Sequence, residues 1–350
     1  MRALIKEGRS PGVTYTEIAK PEPKENELLI QVKAAAICGT DLSIWHWNES
    51  GESFCDKYQA KMPFVLGHEC SGIVVGMGKD VSGFALGDHV SLETHIYCGE
   101  CFQCKNGDAH NCQNLKIYGV SCDGCFAEYA TAPANCAFKL PDSISFEQGA
   151  LFEPAGVAMF GVQESGVKPG DVVMIYGCGP IGQIAIQLMF ASGASRVIAV
   201  DIDDSRAELA AQLGAVAVNS RKQDIGEVVA KYTAGRGGVD VIMEISGASS
   251  IYDTMFDYLR PEGHVVLLAH PGHPVMFDVM KSMHHKGAVI KGVFGRRIWS
   301  SWYALANMVE SGRVDLAKVI THRYPLSAGN EAFEQIAKGA CKVLFLPEVV

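Results

Sequence analysis

The pattern of hydrophobic and polar positions changes character along the chain. Up to about residue 155, continuous apolar segments at 28–38 and 70–78 alternate with irregular stretches in which Gly, Pro and Asn recur. Short apolar runs bounded by turn residues predict buried strands. We therefore expect residues 1–155 to form an irregular, β-rich domain.

Strands and helices alternate over residues 156–293. Apolar runs at 172–177, 196–201, 239–247 and 264–269 alternate with helical patterns at 181–193, 205–215 and 251–260. This alternation predicts an α/β domain with a doubly wound parallel sheet and crossover helices. An amphipathic helix at 300–312, a further strand and helix, and a last strand at 341–348 predict that residues 294–350 return to the first domain.

Charge and apolar length exclude two classes of partner. The chain has 350 residues, 39 acidic and 30 basic, and a formal net charge of −9. Nucleic-acid binding needs a basic face, so no nucleic-acid partner is expected. The longest apolar stretch, 172–190, is interrupted by Gly177, Gly179 and Pro180, and the N-terminus has no apolar signal core. We expect a cytoplasmic protein without a membrane partner.

Four cysteines are concentrated in one polar loop, with the spacing Cys98-x2-Cys101-x2-Cys104-x7-Cys112. Zinc takes four ligands in a tetrahedron, and short spacers let one loop surround it. With no coordination position left open, such a site is structural. Four free thiols and an iron–sulfur cluster are the alternatives, and spacing alone does not exclude the cluster.

A second group of metal-binding residue types is dispersed along the chain. Cys38 and the pair His68-Glu69 each follow an apolar strand, and Glu153 lies at the predicted domain junction. Thiolate, imidazole and carboxylate together suit zinc, and three protein ligands leave a position for water or substrate. Each residue also has an ordinary interpretation, as a core thiol, a turn histidine or a solvated acid, and spacing alone leaves both open.

A glycine-rich turn joins the strand at 172–177 to the following helix. Gly177, Gly179 and Gly182 form the pattern G-x-G-x-x-G in the strand–turn–helix context that a dinucleotide fold requires. Asp201 follows nineteen residues after Gly182, at the end of the next strand. A carboxylate there accepts hydrogen bonds from a ribose and repels a 2′-phosphate, which favours NAD over NADP. Arg206 argues against this preference for NAD, because its guanidinium could bind a 2′-phosphate.

These segments together resemble the zinc-dependent medium-chain alcohol dehydrogenases, in the branch of L-threonine 3-dehydrogenase and sorbitol dehydrogenase. The motifs CGTD, GHE, the four-cysteine loop, EP, GCGPIG and GRR…WY…THR occur in that order nearly end to end. The resemblance implies a GroES-like catalytic domain with a Rossmann-type domain, and oxidation of a secondary alcohol to a ketone. It also implies two zinc ions per chain, NAD, and a homo-oligomer, either a tetramer or a dimer.

The resemblance implies roles for individual residues. Cys38, His68 and Glu69 look like ligands of a catalytic zinc, and Glu153 like an acid near that metal. Thr40 matches the hydroxyl that takes the proton of the substrate, and Arg296 resembles a substrate-pocket arginine. Besides the three glycines, the positions that match NAD contacts are Ile181, Asp201, Arg206, Leu268, Ala269, His270, Val293 and Phe294.

Two positions depart from the branch. Ser43 stands where the branch usually has a histidine that ends a proton relay, and Phe160 replaces a second histidine. A serine hydroxyl cannot titrate near neutrality, whereas an imidazole can. The proton then leaves through water, His46 or His95. We favour His95, since His46 lies between two tryptophans and is expected to be packed away.

The substrate stays open among threonine-like amino alcohols, polyols or cyclitols, and anionic hydroxy compounds. Arg296 and Arg297 favour an anionic group, which an arginine fork binds well. A hypothesis from a different functional class is that the chain is a non-enzymatic NAD-binding protein with structural zinc only. The combined presence of Cys38, Thr40 and the His68-Glu69 pair argues against it.

Overall fold

A computed structural model describes residues 1–347. Residue 348, the last of the predicted final strand, and residues 349–350 lie outside the described residues. The chain divides into two compact units. The first contains Met1–Pro154, Arg297–Ala306 and the chain from Leu316 onward. The second contains Ala155–Arg296 and Asn307–Asp315. Residues 294–296 and 307–315 thus group with the second unit, whereas the sequence assigns all of 294–350 to the first.

The strands and helices are numbered here in chain order. The strands are β1 (Arg2–Lys6), β2 (Thr14–Glu17), β3 (Glu27–Ala36), β4 (Phe64–Val65), β5 (Glu69–Met77), β6 (His89–Leu92), β7 (His95–Ile96), β8 (Lys116–Ile117), β9 (Tyr129–Pro133), β10 (Ala137–Lys139), β11 (Val172–Tyr176), β12 (Arg196–Asp201), β13 (Val216–Asn219), β14 (Val239–Glu244), β15 (Leu259–Leu267), β16 (Val289–Gly292), β17 (Ile320–Tyr324) and β18 (Lys342–Phe345). The helices are α1 (Gly39–His46), α2 (Glu49–Lys57), α3 (Phe102–Lys105), α4 (Phe146–Ala150), α5 (Phe152–Glu164), α6 (Pro180–Ala191), α7 (Asp204–Gln212), α8 (Ile225–Tyr232), α9 (Ser300–Glu310) and α10 (Gly329–Ala337).

The first unit is built on a mixed sheet with the order β10-β6-β5-β3-β18-β17, and β9 also pairs with β3. The long strand β3 is antiparallel to both β5 and β18. Strand β18, from the C-terminal segment, therefore extends the sheet that the N-terminal strands form. Its core contains Leu28, Ile30, Phe126 and Phe345, all essentially inaccessible to solvent. The sheet therefore holds residues far apart in sequence at fixed register.

The second unit is a parallel six-stranded sheet with the order β13-β12-β11-β14-β15-β16. The order reverses beside β11, and parallel sheets of this kind bind ligands at the carboxyl end of the strands where the order reverses. The strands are nearly continuous apolar runs because helices cover such sheets on both faces. The predicted fold class, a β-rich domain with a doubly wound parallel-sheet domain, is confirmed.

One predicted helix is wrong. Residues 251–260 form two short 3-10 turns, Ser249–Asp253 and Met255–Tyr258, and β15 already begins at Leu259. Pro261 explains part of the difference, because the residue before a proline disfavours helical backbone. The guanidinium of Arg260 is also bound by Asp240 at 2.6 Å, which ties this residue to β14.

Four helices, α1 to α4, lie in the region expected to be irregular, and the first two are adjacent in the chain. The N-cap Asn48 of α2 accepts the backbone N–H of Gly51 at 2.9 Å, and α1 begins directly after Cys38. Gly51 permits a close crossing of α1 and α2, since a Cβ there would lie 2.3 Å from the carbonyl oxygen of Ser43. Within residues 1–347, no helix is long and apolar enough to cross a bilayer.

Candidate functional site

Strand register brings together the dispersed metal-binding residue types. Ala36 at the end of β3 pairs with Glu69 at the start of β5, so Cys38 comes to lie beside His68. The ligand atoms of Cys38, His68 and Glu69 all lie within 4.8 Å of one another. Glu153, at the start of α5, is buried but does not belong to this group.

Asp41 supports two of these residues. One carboxylate oxygen of Asp41 accepts the backbone N–H of Cys38 at 2.9 Å, and the other lies 3.3 Å from Nδ1 of His68. Burial lowers the pKa of His68, but the charges of Asp41 and Cys38 outweigh burial and raise this pKa well above its ordinary value. A carboxylate at Nδ1 orients the ring and assigns Nε2 to a metal.

Lys342 approaches the same group from β18. Its ammonium donates to the carbonyl oxygen of Ile37 at 3.0 Å and to a carboxylate oxygen of Glu69. Burial lowers the pKa of Lys342, but Glu69 and Cys38 raise it overall. Burial, reinforced by Glu153, raises the pKa of Glu69 to about 7 despite the lysine.

The residues present fit a zinc ion. A thiol, an imidazole and carboxylates converge in a buried space, and Oε1 of Glu69 has no hydrogen-bond partner there. Burying several acidic groups against one lysine is costly, and a dication would offset that cost. The donor set is one that zinc prefers, and three ligands leave a position open.

Helix α1 carries three of the positions considered for proton transfer, and His95 lies outside it on β7. Thr40 and Ser43 lie one turn apart and are both half-buried. His46 follows at the end of the helix and is exposed, with its ring against the edge of Trp45 at 4.7 Å. The expectation that the flanking tryptophans bury His46 is therefore wrong, because Trp45 turns inward and stacks on Phe333.

The four loop cysteines form a compact sulfur cluster. The Sγ atoms of Cys101 and Cys104 are 3.5 Å apart, as are those of Cys98 and Cys112, and two further pairs are at 3.9 and 4.0 Å. A tetrahedral zinc–thiolate centre with ~2.3 Å bonds has sulfur–sulfur distances of ~3.8 Å. The backbone N–H groups of Glu100 and Cys101 lower the pKa of Cys98 to about 6, which favours a thiolate. The cluster thus fits a closed structural zinc site.

The glycine loop after β11 leaves its backbone open to a ligand. Gly177 has a φ of 95°, and a Cβ there would lie 2.9 Å from the backbone of Ser246. A Cβ at Gly182 would lie 2.0 Å from the carbonyl oxygen of Gly177, so a glycine there lets α6 begin close to the strand. A Cβ at Gly179, the N-cap of α6, would meet no atom within 4 Å. This open helix N-terminus suits a pyrophosphate.

A cavity of about 430 Å³ lies beside this loop. Its lining includes Gly177, Gly179, Asp201 and Arg206. One carboxylate oxygen of Asp201 accepts the N–H of Cys178 at 2.7 Å, and the other accepts two N–H groups at 2.8 and 3.0 Å. Asp201 therefore both holds the glycine loop and presents its carboxylate to the cavity.

The other predicted nucleotide contacts follow the same edge of the parallel sheet without lining that cavity. Leu268 and Ala269 bind the carbonyl oxygen of Glu244 through their N–H groups, and Val293 binds that of Leu267. The rings of His270 and Phe294 lie 6.4 Å apart at the carboxyl ends of β15 and β16. Ile181 and Gly182 are in the first turn of α6.

Two arginines follow β16. Arg296 is 1% exposed and packs on Gly156, where a Cβ would lie 2.7 Å from its Cδ. Arg297 pairs with Asp108 at 3.4 Å in the cysteine loop. Phe160, on α5, is buried. Arg296 is thus enclosed by protein, while Arg297 is engaged by the metal loop.

Four residues of these sites were not predicted from the sequence. Asp41 could have been found, since an acid three residues after Cys38 matches a capping box. Gln183 has no local signal, yet its amide donates to the carbonyl oxygens of Cys178 and Arg206 at 2.9 and 2.8 Å. Lys342 reaches its site through strand pairing, whereas Glu93 binds the ring of His95 two residues away.

Comparison with known proteins assigns the family. Residues 24–142 match the alcohol dehydrogenase GroES-like domain, and residues 180–311 match the zinc-binding dehydrogenase domain. The chain is 40% identical to an L-threonine 3-dehydrogenase from Bacillus subtilis, over 99% of both chains. This chain belongs to the zinc-binding alcohol dehydrogenases. The resemblance inferred from its motifs is therefore confirmed, and so is its activity class, an alcohol-oxidising dehydrogenase.

Solved structures agree over the same extent. A dehydrogenase from Escherichia coli CFT073 in complex with NADH has a TM-score of 0.88 and 26% identity, with 99% of each chain covered. A protein described as a zinc-binding dehydrogenase from Sinorhizobium meliloti 1021, bound to NADP, has a TM-score of 0.88, 30% identity and the same coverage. The two neighbours thus bind different forms of the cofactor.

Proposed function

We propose that this dehydrogenase oxidises the secondary alcohol of L-threonine or a closely similar amino alcohol, with NAD⁺ as acceptor. The observation that carries the proposal is the convergence of Cys38, His68 and Glu69, found in a chain similar from end to end to L-threonine 3-dehydrogenases. Arg296 resembles a substrate-pocket arginine of this family, which favours a substrate with an anionic group. Polyols, cyclitols and other anionic hydroxy compounds are the alternatives.

Each part of the chain has a distinct task in this reaction. Cys38, His68 and Glu69 would hold a zinc ion, whose chemistry is to acidify a bound hydroxyl group. Asp41 orients His68, and Lys342 offsets the charge of Glu69. The hydroxyl of Thr40 takes the proton that leaves the substrate.

The proposal is tested with a panel of secondary alcohols. The zinc-loaded protein is mixed with NAD⁺ and L-threonine, a polyol, a cyclitol or an anionic hydroxy compound, and NADH is followed by its absorbance. We expect L-threonine or a close analogue to give the highest kcat/KM. Preference for a polyol would contradict the substrate, and NADH formation with none of the alcohols would contradict the function.

We propose two zinc ions per chain, one catalytic and one structural, and a homo-oligomer, either a tetramer or a dimer, in the cytoplasm. The two donor groups support the zinc count. Strand β16 supports self-association, because it is the last strand in the sheet order and Val289 on it is 48% exposed. Such an edge offers unpaired N–H and C=O groups to a second copy.

Asp201→Ser is expected to narrow the preference for NAD⁺ over NADP⁺ by about tenfold or more in kcat/KM. The carboxylate repels a 2′-phosphate, and removing it also frees the N–H groups that hold the glycine loop. Asp204→Ser is the matched control, since Asp204 is exposed and pairs with Lys222 at 2.5 Å. If the unmodified enzyme uses NADP⁺ equally well, Arg206 dominates and the interpretation of Asp201 is wrong.

We propose that the proton leaves through His95 rather than through residue 43. Ser43→His is expected to raise turnover on the acidic side, because an imidazole with a pKa near ~6.5 accepts protons there. His95→Asn is expected to lower turnover. Turnover against pH is measured for both variants, with His46→Asn as the matched control. A loss of turnover in His46→Asn alone would make the exposed His46 the outlet.

A further inference from the structure

Glu93 is a buried carboxylate that collects three N–H donors. It follows β6 and is 1% exposed. One of its oxygens accepts the backbone N–H of His95 at 2.8 Å and binds Nδ1 of the His95 ring at 2.7 Å. The other accepts the indole N–H of Trp302 at 3.0 Å. Both carboxylate oxygens are thus engaged, and one of them holds Nδ1 of the histidine ring.

Trp302 is a rigid support for this carboxylate. It is inaccessible to solvent, and its ring lies 5.4 Å from that of Phe138, 5.5 Å from Trp299 and 5.9 Å from Phe152. Rings packed in this way have little rotational freedom, so the direction of the indole N–H is set by the surrounding aromatic side chains. The second oxygen of Glu93 is therefore fixed in place.

The pairing determines which nitrogen of His95 carries the proton. An ionised carboxylate only accepts hydrogen bonds, so Nδ1 must be the protonated nitrogen in the neutral ring. The lone pair then lies on Nε2, the nitrogen that can take a proton.

Strand register places this pair beside the candidate metal site. Ser71 on β5 pairs with Ser91 on β6. Glu69 lies two residues before Ser71, and Glu93 lies two residues after Ser91. Because side chains alternate between the two faces of a sheet, both glutamates lie on the same face as the paired serines. The Glu93–His95 pair therefore adjoins a zinc-ligand candidate within the same unit.

We propose that Glu93, fixed by Trp302, is a positioning residue that makes Nε2 of His95 the proton acceptor of the alcohol oxidation. As the O–H bond of the substrate breaks at Thr40, the proton passes on and ends in a new N–H bond on Nε2. The proposal rests on the proposed function, since it concerns the proton that this reaction releases.

Glu93→Gln tests the Glu93–His95 hydrogen bond. The amide has nearly the size of the carboxylate, but an NH2 group that donates hydrogen bonds replaces one of the two accepting oxygens. In one orientation its NH2 group faces the indole N–H of Trp302, and in the other it faces the backbone N–H of His95. We expect kcat to fall about tenfold to a hundredfold with the Kd for NAD⁺ unchanged. Glu128→Gln is the matched control, since Glu128 is buried and accepts one backbone N–H, that of Arg2, at 2.8 Å.

Trp302→Phe separates positioning from packing. It keeps an aromatic ring in the cluster and removes the indole N–H. The NH2 group of the amide introduced at position 93 can then face the ring at position 302 without opposing another N–H donor. We expect the double variant Glu93→Gln/Trp302→Phe to recover several-fold in kcat over Glu93→Gln alone. If the fold-loss of kcat in the double variant equals the product of the fold-losses in the two single variants, the proposal is contradicted.

A second readout does not depend on turnover. In protein labelled with ¹⁵N-histidine, NMR reports which ring nitrogen is protonated, and the His95→Asn spectrum assigns the signal. We expect the Nδ1–H form in the unmodified protein and partial Nε2–H form in Glu93→Gln. An Nε2–H ring in the unmodified protein, or a ring unchanged by Glu93→Gln, overturns the inference. An inactive protein with the expected ring state would instead contradict the proposed function.

Discussion

Cys38→Ser is expected to abolish alcohol oxidation in a chain that stays folded. The hydroxyl of serine is a poor zinc ligand, so the buried group would lose its thiolate while β3 and α1 keep their backbone bonds. Loss of Lewis-acid stabilisation worth about 4 kcal/mol corresponds to about a thousandfold in kcat. The measurement is kcat with the best alcohol of the panel, together with Tm and zinc content.

Cys55→Ser is the control for this substitution. Cys55 is a buried cysteine of the same unit, and it belongs to neither candidate metal group. We expect near-normal turnover from it. Cys38→Ser with turnover close to that of the control would mean that the Cys38, His68 and Glu69 group is not the catalytic centre.

Cys98→Ser is expected to act on folding. Metal binding in a closed site is coupled to folding, and the loop of residues 98–112 has only the short elements α3 and a single 3-10 turn, Ala109–Asn111, of its own. We expect Tm to fall by about 10 °C or more, since each kcal/mol shifts the Tm of a large domain by ~2–4 °C. Zinc analysis should fall from two ions per chain to one.

Two comparisons make this expectation specific. Cys122→Ser, at an exposed cysteine outside both groups, should leave Tm and zinc content unchanged. Cys98→Ser/Cys101→Ser should be little worse than Cys98→Ser alone, because residues of one site are not additive. Active protein with one zinc per chain would contradict the assignment of two sites, and iron in the loop would favour the iron–sulfur alternative.

The sequence predicts best what is encoded locally. The four loop cysteines lie within fifteen residues, and the glycine turn at 177–182 requires only a strand before it and a helix after it. The alternation of strands and helices marks the parallel sheet because each apolar run there is buried on both faces. The helix expected at 251–260 failed because Pro261 and the Arg260–Asp240 contact favour an early strand.

The sequence predicts least what strand pairing assembles. Cys38 and His68 meet through the pairing of Ala36 with Glu69, and Lys342 joins them because Leu344 pairs with Ala36 on the other side of β3. Nothing local to Lys342 indicates this. His46 illustrates the same limit, since its exposure depends on Trp45 packing against Phe333 from α10.

We expect this chain to transfer a hydride from a secondary alcohol to NAD⁺. To test this transfer, the best alcohol of the panel is deuterated at its carbinol carbon, and deuterium in the NADH is measured by mass spectrometry. We expect one deuterium in each NADH formed, and about a thousandfold slower formation of labelled NADH by Cys38→Ser. NADH without deuterium, or no NADH from any secondary alcohol with zinc-loaded protein, would contradict it.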